Sequence, residues 1–548
     1  MTRADFDYIV VGGGSAGCVT AGKLVGEHGA RVLLLEAGWP DSHPLLRMPA
    51  GFVRFIRGSR YVTEHVSSPQ DQLDGRRQII IQANVLGGGS SVNAMVYMRG
   101  RPGDYDGWDA AVGGAGWGYA DMLPHFIAQE GNQRLNDAFH GIDGPLKVSD
   151  PAHACAMSYI YLRTMQGLGI PFADDFNGRD QAGVGFMQYT IADRRRCSAA
   201  TAFLGPVRGD PRLTLRTGAR VVRLRFSGDR VTGVDFVRRG SGAVESAHAA
   251  AEVILTAGAL VTPQLLMLSG IGPADHLRSH GIAVRADLPG VGANLHDHHE
   301  APVVALTNGR YGYFGEDRGW RMLRNGLQYL LFRTGPVATN GAETCAFVNP
   351  DDPSAPATIK LYCVPSVYLD RDIAGVKPAD GVTLTACLLQ PRGRGRVTLA
   401  SADPRDRPAI DPGFLRDPAD LALQVAGVRF ARQVLAARPM RDAIAREIVP
   451  GPGVDGDAAL AAHCRRTVKT NWHPCGTCRM GRPDDPGAVV GADLRVRGLE
   501  GLRVFDASVM PSVPHANTNA PTMALADRGV AIMTGTVALR AADPVRNN

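Results

Sequence analysis

The chain has 548 residues, 45% of them hydrophobic and 20% charged, with a formal charge of +6; this length buries a large core and predicts two connected lobes. No apolar run is long enough to span a bilayer, and the basic residues are dispersed arginines, not clusters with aromatics, which argues against nucleic-acid recognition. Nine cysteines without framework spacing read as reduced thiols. Lysine occurs only at positions 23, 147, 360, 377 and 469. The chain enters its first strand directly after Asp5, leaving no room for a signal peptide. A cytoplasmic protein is expected, with peripheral membrane association left open.

The first element organises the rest. The apolar run Phe6–Val11 ends in Gly12-Gly13-Gly14-Ser15-Ala16-Gly17, and a helix-compatible segment, Cys18 to Gly26, follows. A second apolar run, Arg31–Leu35, delivers Glu36 and Ala37. Gly12 permits the tight turn, Gly14 lets backbone approach a pyrophosphate, and Gly17 allows close helix–strand packing. The first helical turn, with Ser15 and Ala16, offers free N–H groups to phosphates, and Glu36 is placed to accept from ribose hydroxyls. An ADP-containing dinucleotide is predicted; NAD and FAD both remain open at this point.

After an irregular stretch, Trp39 to Arg77, the run Gln78–Ile81 leads to a second glycine cluster, Leu86-Gly87-Gly88-Gly89-Ser90-Ser91-Val92-Asn93. The segment that follows, Ala94 to Arg99 with Met95 and Val96, is helix-compatible. Backbone N–H groups here suit an anion or a polar ring edge. Leu86, Gly88, Ser90, Asn93, Ala94, Met95 and Val96 are therefore cofactor candidates, and two such clusters fit a flavin dinucleotide better than NAD.

The segment Ala83 to Asp106, with Tyr97, Arg99 and Gly100, resembles the first signature of the glucose–methanol–choline (GMC) oxidoreductases. Gly258-Ala259, Thr262-Pro263 and Leu266–Gly272 resemble the second. The likeness covers essentially the whole chain. It implies an α/β (α+β) fold: a Rossmann-like FAD-binding domain and a discontinuous substrate domain containing a mostly antiparallel sheet. The expected division is 1–300 for FAD binding, with a substrate-domain insertion near 151–200. Residues 301–465 form the substrate domain, and 466–548 return to the FAD domain with the catalytic pair.

Further along, Arg212–Arg216 and Val221–Phe226 alternate as antiparallel strands do. Glu252–Leu255 reads as a buried strand turning at Ala257–Ala259 into a helix that begins near Thr262-Pro263. The resemblance implies that the backbone of Val221 holds the adenine. His296, Asp297, His298, His299 and Glu300 look like a metal cluster, but adjacent histidines do not readily face one ion, and the family has a metal-free hinge here. No metal is expected. The runs Thr358–Tyr362, Thr383–Leu388 and Arg396–Leu399 predict a sheet, and Pro418 to Ala437 a long helix. Tyr311, Tyr313, Phe314 and Trp320 are candidates for a lid or for core packing.

Near the C-terminus, Asn471-Trp472-His473-Pro474-Cys475-Gly476 places a histidine in a rigid turn. Later come Phe505-Asp506-Ala507 and His515-Ala516-Asn517-Thr518-Asn519-Ala520-Pro521-Thr522, with a closing helix to about Leu539. Alcohol oxidation needs a base for the hydroxyl proton, and histidine titrates near neutrality. It also needs a second side chain to fix the oxygen for hydride transfer. The resemblance makes His473 the base and Asn519 its partner, with Asn517 and His515 as alternatives in the same turn. It further places Asp506 and Ala507 at the FAD phosphates and ribityl chain, Trp472 beside the ring, and Asn519, Ala520 and Pro521 at the flavin pyrimidine. Cys475-Gly476-Thr477-Cys478 reads as packing.

Three positions depart from the family pattern. Gln82-Ala83-Asn84 lacks a basic residue common before the second glycine cluster. Val92 stands where covalent flavoproteins carry histidine, so FAD is expected to be non-covalent. His296 replaces a glutamine of the hinge motif. The resulting expectation is FAD-dependent oxidation of a primary alcohol to an aldehyde, with oxygen or a quinone-like acceptor reoxidising the flavin. A lyase of the same fold with redox-silent FAD is the alternative.

Overall fold

The computed structural model describes residues 5–368 and 376–541. Strands Phe6–Val11 and Val32–Glu36 run parallel, with Tyr8 opposite Val32 and Val11 opposite Leu35. The second strand is buried at every position, as expected of a parallel strand covered on both faces. Val244–Leu255 pairs on the other side of the first strand, and Leu502–Val504, from far along the chain, extends the sheet beyond it. Helix α1 (Ser15–Gly26) covers one face. Its packed side is mostly apolar, and a second helix, from the C-terminal region, lies against it, with Lys23 pairing to Asp527 across the contact at 2.7 Å.

One strand pairing differs from expectation. Leu213–Thr217 and Ala219–Ser227 are not antiparallel partners. The first joins Val32–Glu36 in parallel at the sheet edge, and the second pairs antiparallel with Arg230–Arg238. Gly218, at φ +69°, breaks the line between them, a left-handed conformation that favours glycine.

The second sheet is antiparallel. His299–Thr307 pairs with Gly381–Leu388, which pairs with Ile359–Val364, then Thr344–Val348 and Gly183–Phe186. Strict alternation divides its faces. Val303, Leu361, Leu384 and Ala386 pack with helix α2 (Pro418–Ala436) in one hydrophobic cluster. The opposite face carries Glu300, Phe347, Lys360, Tyr362 and Cys387, with Lys360 directly between Phe347 and Cys387. Arg396–Thr398 does not join this sheet but forms a ribbon with Ala409–Asp411. The turn after the second glycine cluster also departs from expectation. Its helix is Gly89–Val92, while Val96–Tyr97 is a strand paired with Gln188–Tyr189, and Met95 between them adopts φ +61°. Lys469–Thr470 pairs with His299–Glu300, so the chain leaves the second sheet immediately before Trp472 and His473.

Candidate active site

The glycine loop behaves as its spacing demands. A Cβ at Gly12 would meet the Thr256 carbonyl at 2.5 Å, and one at Gly17 would meet the Gly12 carbonyl at 1.9 Å. A Cβ at Gly14, by contrast, would meet only ordinary contacts, the Thr256 carbonyl at 3.8 Å and Gly88 Cα at 4.0 Å. Gly14 lines a cavity of about 520 Å³ with Gly12, Ser15, Ala16, Glu36, Ala37, Gly88, Val221, Trp472, Asp506 and Ala507. Glu36 is buried; its carboxylate accepts from Gly13 N–H at 2.8 Å and Gly38 N–H at 2.6 Å. Burial pushes its pKa up to about 7, so a donor arriving from a ribose would favour its ionised form.

The other predicted residues of the second glycine cluster, Leu86, Ser90, Asn93, Ala94, Met95 and Val96, do not line this cavity. Leu86 packs under Gly13. Ser90 Oγ donates to the Gly87 carbonyl at 2.5 Å. Asn93 Oδ1 accepts from Met95 N–H at 3.0 Å and from Arg196 at 2.7 Å. Arg196, absent from the sequence reading, is buried and also donates to the carbonyls of Leu46, Ser90 and Asn93, bracing the second glycine loop. The Ala94 carbonyl accepts from Asn340 at 2.6 Å, and Val96 is buried in the adjoining strand. Arg99 is fully buried against Glu130 and takes no part in the cavity. Gln82, at the position lacking a basic residue, donates to Ala257 O at 3.0 Å and meets His65. Asp506 accepts from Gly258 N–H, Thr262 Oγ and Ser508 N–H, so its side chain fixes the turn while the segment lines the cavity. Trp472 adopts φ +59°. Its indole Nε1 is buried without a hydrogen-bond partner among the described residues, a group that a bound molecule would satisfy.

Beyond Trp472 lies His473, whose N–H donates to Asp297 Oδ1 at 2.8 Å. Its ring is held by a chain of hydrogen bonds whose direction follows from the partners. His298 Nε2 lies 2.9 Å from the Leu389 carbonyl. A carbonyl only accepts, so that nitrogen carries hydrogen. Burial pushes the His298 pKa down to about 3; the neutral ring therefore has a lone pair at Nδ1. His473 Nδ1, 2.9 Å away, must then be the donor. The remaining nitrogen, Nε2, is left with its lone pair. Burial, the neighbouring His298 and the Lys360 ammonium hold the His473 pKa well below its ordinary value.

The side chain facing Nε2 is that of Asn517, with Nδ2 at 3.1 Å. Asn517 Oδ1 accepts from Lys360 Nζ at 3.0 Å, which settles the amide orientation, because an ammonium only donates. Asn519, the partner expected from sequence, is turned away: its Oδ1 accepts from Ser15 Oγ at 2.8 Å. It opens helix α3 (Asn519–Met533), with Ala520 and Pro521 buried behind it. The correction is one of phase. Two residues along this turn reverse the side of the chain, so the asparagine that reaches the histidine is the earlier one. His515 is bound to Asp104 instead.

The rest of the hinge cluster diverges. His296 accepts from Val513 N–H and donates to Pro391 O, His299 stacks on Phe414, and Glu300 pairs with Lys469 at 2.7 Å. Cys475 and Cys478 are buried thiols. Of the lid candidates, Tyr313 donates to Glu343 at 2.5 Å while Trp320 stands exposed.

Comparison with known proteins is consistent along the whole length. The family described as GMC oxidoreductase matches over residues 6–300 by its N-terminal part and 391–526 by its C-terminal part. An alcohol dehydrogenase [acceptor] of Pseudomonas putida is 39% identical over 543 residues, covering 98% of this chain and 97% of that one. The mitochondrial choline dehydrogenase of Homo sapiens is 38% identical, covering 98% and 91%. The crystal structure of pyridoxine 4-oxidase from Mesorbium loti superposes with a TM-score of 0.87 at 31% identity, covering 96% and 98%.

Proposed function

The chain belongs to the GMC oxidoreductase family, FAD-dependent enzymes acting on alcohols, and from that premise we propose that it oxidises a primary alcohol to the aldehyde with His473 as base. The observation that carries this reading is the chain Leu389–His298–His473, which leaves the Nε2 lone pair facing Asn517 Nδ2. The residues present suit FAD. Glu36, the two glycine loops, Val221 and Asp506-Ala507 would hold the dinucleotide along the cavity, with Trp472 at its ring end. FAD, when bound, supplies the hydride acceptor. Val92 has no nucleophilic atom, so attachment there would be non-covalent.

An alcohol oxygen within reach of both His473 Nε2 and Asn517 Nδ2, replacing their direct 3.1 Å hydrogen bond, gives its proton to the first and accepts a hydrogen bond from the second. The developing negative charge on that oxygen meets the Asn517 amide, itself polarised by Lys360. Holding the oxygen at two points also aims the carbon-bound hydrogen in one direction. Loss of a proton to His473 and of a hydride from carbon leaves the aldehyde.

Anaerobic addition of primary alcohols to the flavin-loaded protein, followed by air, tests this. Bleaching of the flavin absorbance is expected, lost in His473→Ala. Rapid recolouring in air identifies oxygen as acceptor, and slow recolouring means that another acceptor is needed. Absence of bleaching across a broad panel overturns the reading in favour of a lyase.

A further inference from the structure

Lys360 has no role in the glycine loops or the hinge, yet it stands one carboxamide from the base. Alternation along Ile359–Val364 puts it on the site-facing side of the sheet, where it is 2% exposed. Its ammonium has three donors but one acceptor among the described residues, Asn517 Oδ1. Two aromatic rings stand beside it: Nζ lies 4.4 Å from the Tyr362 ring centroid and 5.2 Å from that of Phe347. The carboxylate on the same face, Glu300, is paired with Lys469. The two features that would receive a cationic group, an aromatic cage and a carboxylate, thus each already hold a lysine.

We propose that Lys360 is the anion-binding element of the substrate site, and that the alcohols preferred by this protein are short hydroxycarboxylates, quaternary ammonium alcohols being repelled. This rests on the alcohol-oxidation reading and specifies its substrate class. A carboxylate within reach of the two remaining N–H donors would complete the ammonium's hydrogen bonding while the hydroxyl group lies at His473 and Asn517. Burial lowers the Lys360 pKa, and an incoming carboxylate would favour its charged form.

Equilibrium titration of the holoenzyme with butanoate and with tetramethylammonium, by calorimetry, reads this without turnover. The wild type should bind butanoate and not tetramethylammonium, and Lys360→Met should weaken butanoate by about tenfold or more. In turnover, the ratio of kcat/KM for 4-hydroxybutanoate to that for 1-butanol should fall about as much, and Lys360→Arg should keep most of it. Equal butanoate affinity in wild type and Lys360→Met overturns the proposal. If Lys360→Met does not fold, the wild type still decides: choline should be a far poorer substrate than its uncharged isostere 3,3-dimethylbutan-1-ol, and parity overturns the proposal. Failure of every alcohol to bleach the flavin would remove the oxidation reading but leave the butanoate result standing.

A different observation carries a second inference. The helix Gly319–Phe332 is amphipathic with its apolar side outward. Trp320, Leu323, Leu327, Leu330 and Leu331 form one stripe at helical spacing and are between 54% and 74% exposed, while the helix buries Asn325 and Tyr329. Arg318, Arg321 and Arg324 border it, offset in part by Asp317 and Glu316, with which they pair. We infer that this helix lies on an anionic lipid surface, the basic-bordered apolar face being the form such helices take. An isologous dimer would set these arginines against their own copies. Flotation with vesicles of phosphatidylcholine, and of phosphatidylcholine with about one-third phosphatidylglycerol, tests it. Wild type should float with the anionic vesicles, and Leu323→Gln/Leu330→Gln/Leu331→Gln should not. No flotation, or a concentration-dependent dimer abolished by the same triple variant, overturns it.

Discussion

Replacing His298 with phenylalanine isolates the tautomer argument. Phe keeps an aromatic ring in the site but removes the Nδ1 acceptor that faces His473 Nδ1–H at 2.9 Å. A buried donor left without a partner costs about 1–3 kcal/mol. His473 can avoid that cost by moving its hydrogen to Nε2, toward the cavity, where no base is then available. The same free energy separates the productive tautomer from the unproductive one, and about 1.4 kcal/mol is tenfold in population. Flavin reduction in His298→Phe should therefore slow by roughly 10- to 100-fold, short of the loss of about 10²–10⁴ that removing a general base produces. Anaerobic stopped-flow at saturating alcohol measures the step directly, and the alcohol dissociation constant, read from the same data, should move little. His298→Asn, whose amide oxygen can accept, should recover part of the rate. Unchanged reduction in His298→Phe would refute the claim that His298 sets the tautomer, and so would a loss equal to that of His473→Ala.

Asn517→Ala should lower the flavin-reduction rate by about 10- to 100-fold, since it removes a donor to the developing oxyanion. Asn519→Ala should instead weaken FAD retention through loss of the Ser15 contact; stopped-flow and flavin fluorescence separate the two. Glu36→Ala removes the acceptor for the Gly13 and Gly38 N–H groups and should raise the FAD dissociation constant about tenfold or more, measured by flavin fluorescence on reconstitution. Burial depresses the folded pKa of His65 and His463 to about 4 and of His298 and His299 to about 3, while the unfolded values lie near 6.5. The unfolded chain thus binds more protons below pH 6.5. The histidine contribution to stability should be full above that pH and fall as pH drops toward 4, by up to about 1.4 kcal/mol per pH unit for each histidine. Glu36 and Asp297, whose folded pKa values burial raises to about 7, offset this in part; melting temperatures at pH 7, 6 and 5 check the net slope.

What the sequence disclosed and what it withheld divide along a physical line. The strand Phe6–Val11, its glycines and Glu36 are local: each residue acts through backbone conformation or a neighbour a few positions away, so spacing alone specifies them. The same holds for the length of the Pro418–Ala436 helix and for the strands Ile359–Val364 and Gly381–Leu388. Pairing is not local. Leu213–Thr217 alternates as well as its neighbour does, and only the free edge of the parallel sheet decides where it goes. The choice between Asn517 and Asn519 is less legible still, because both lie in one turn and differ only in which side of the backbone they leave. Lys360, a buried cation, needs an acceptor, but nothing in its own strand says which residue supplies it.

The proposed base is assembled from the most distant residues of all. His298 closes the N-terminal half, Leu389 ends a strand of the second sheet, and His473 and Asn517 return from the C-terminal segment. The turn around His473 marks it as a candidate, but nothing in the immediate sequence of His298 or Leu389 does. The sheet positions the Leu389 carbonyl, that carbonyl orients His298, and His298 determines which nitrogen of His473 is free. Lys360, on the same sheet, fixes the Asn517 amide from the other end. Through the Leu389 carbonyl, the antiparallel sheet therefore fixes the tautomer of the proposed base, His473. A substitution in Gly381–Leu388 that shifts the Leu389 carbonyl should slow proton abstraction without touching the cofactor cavity.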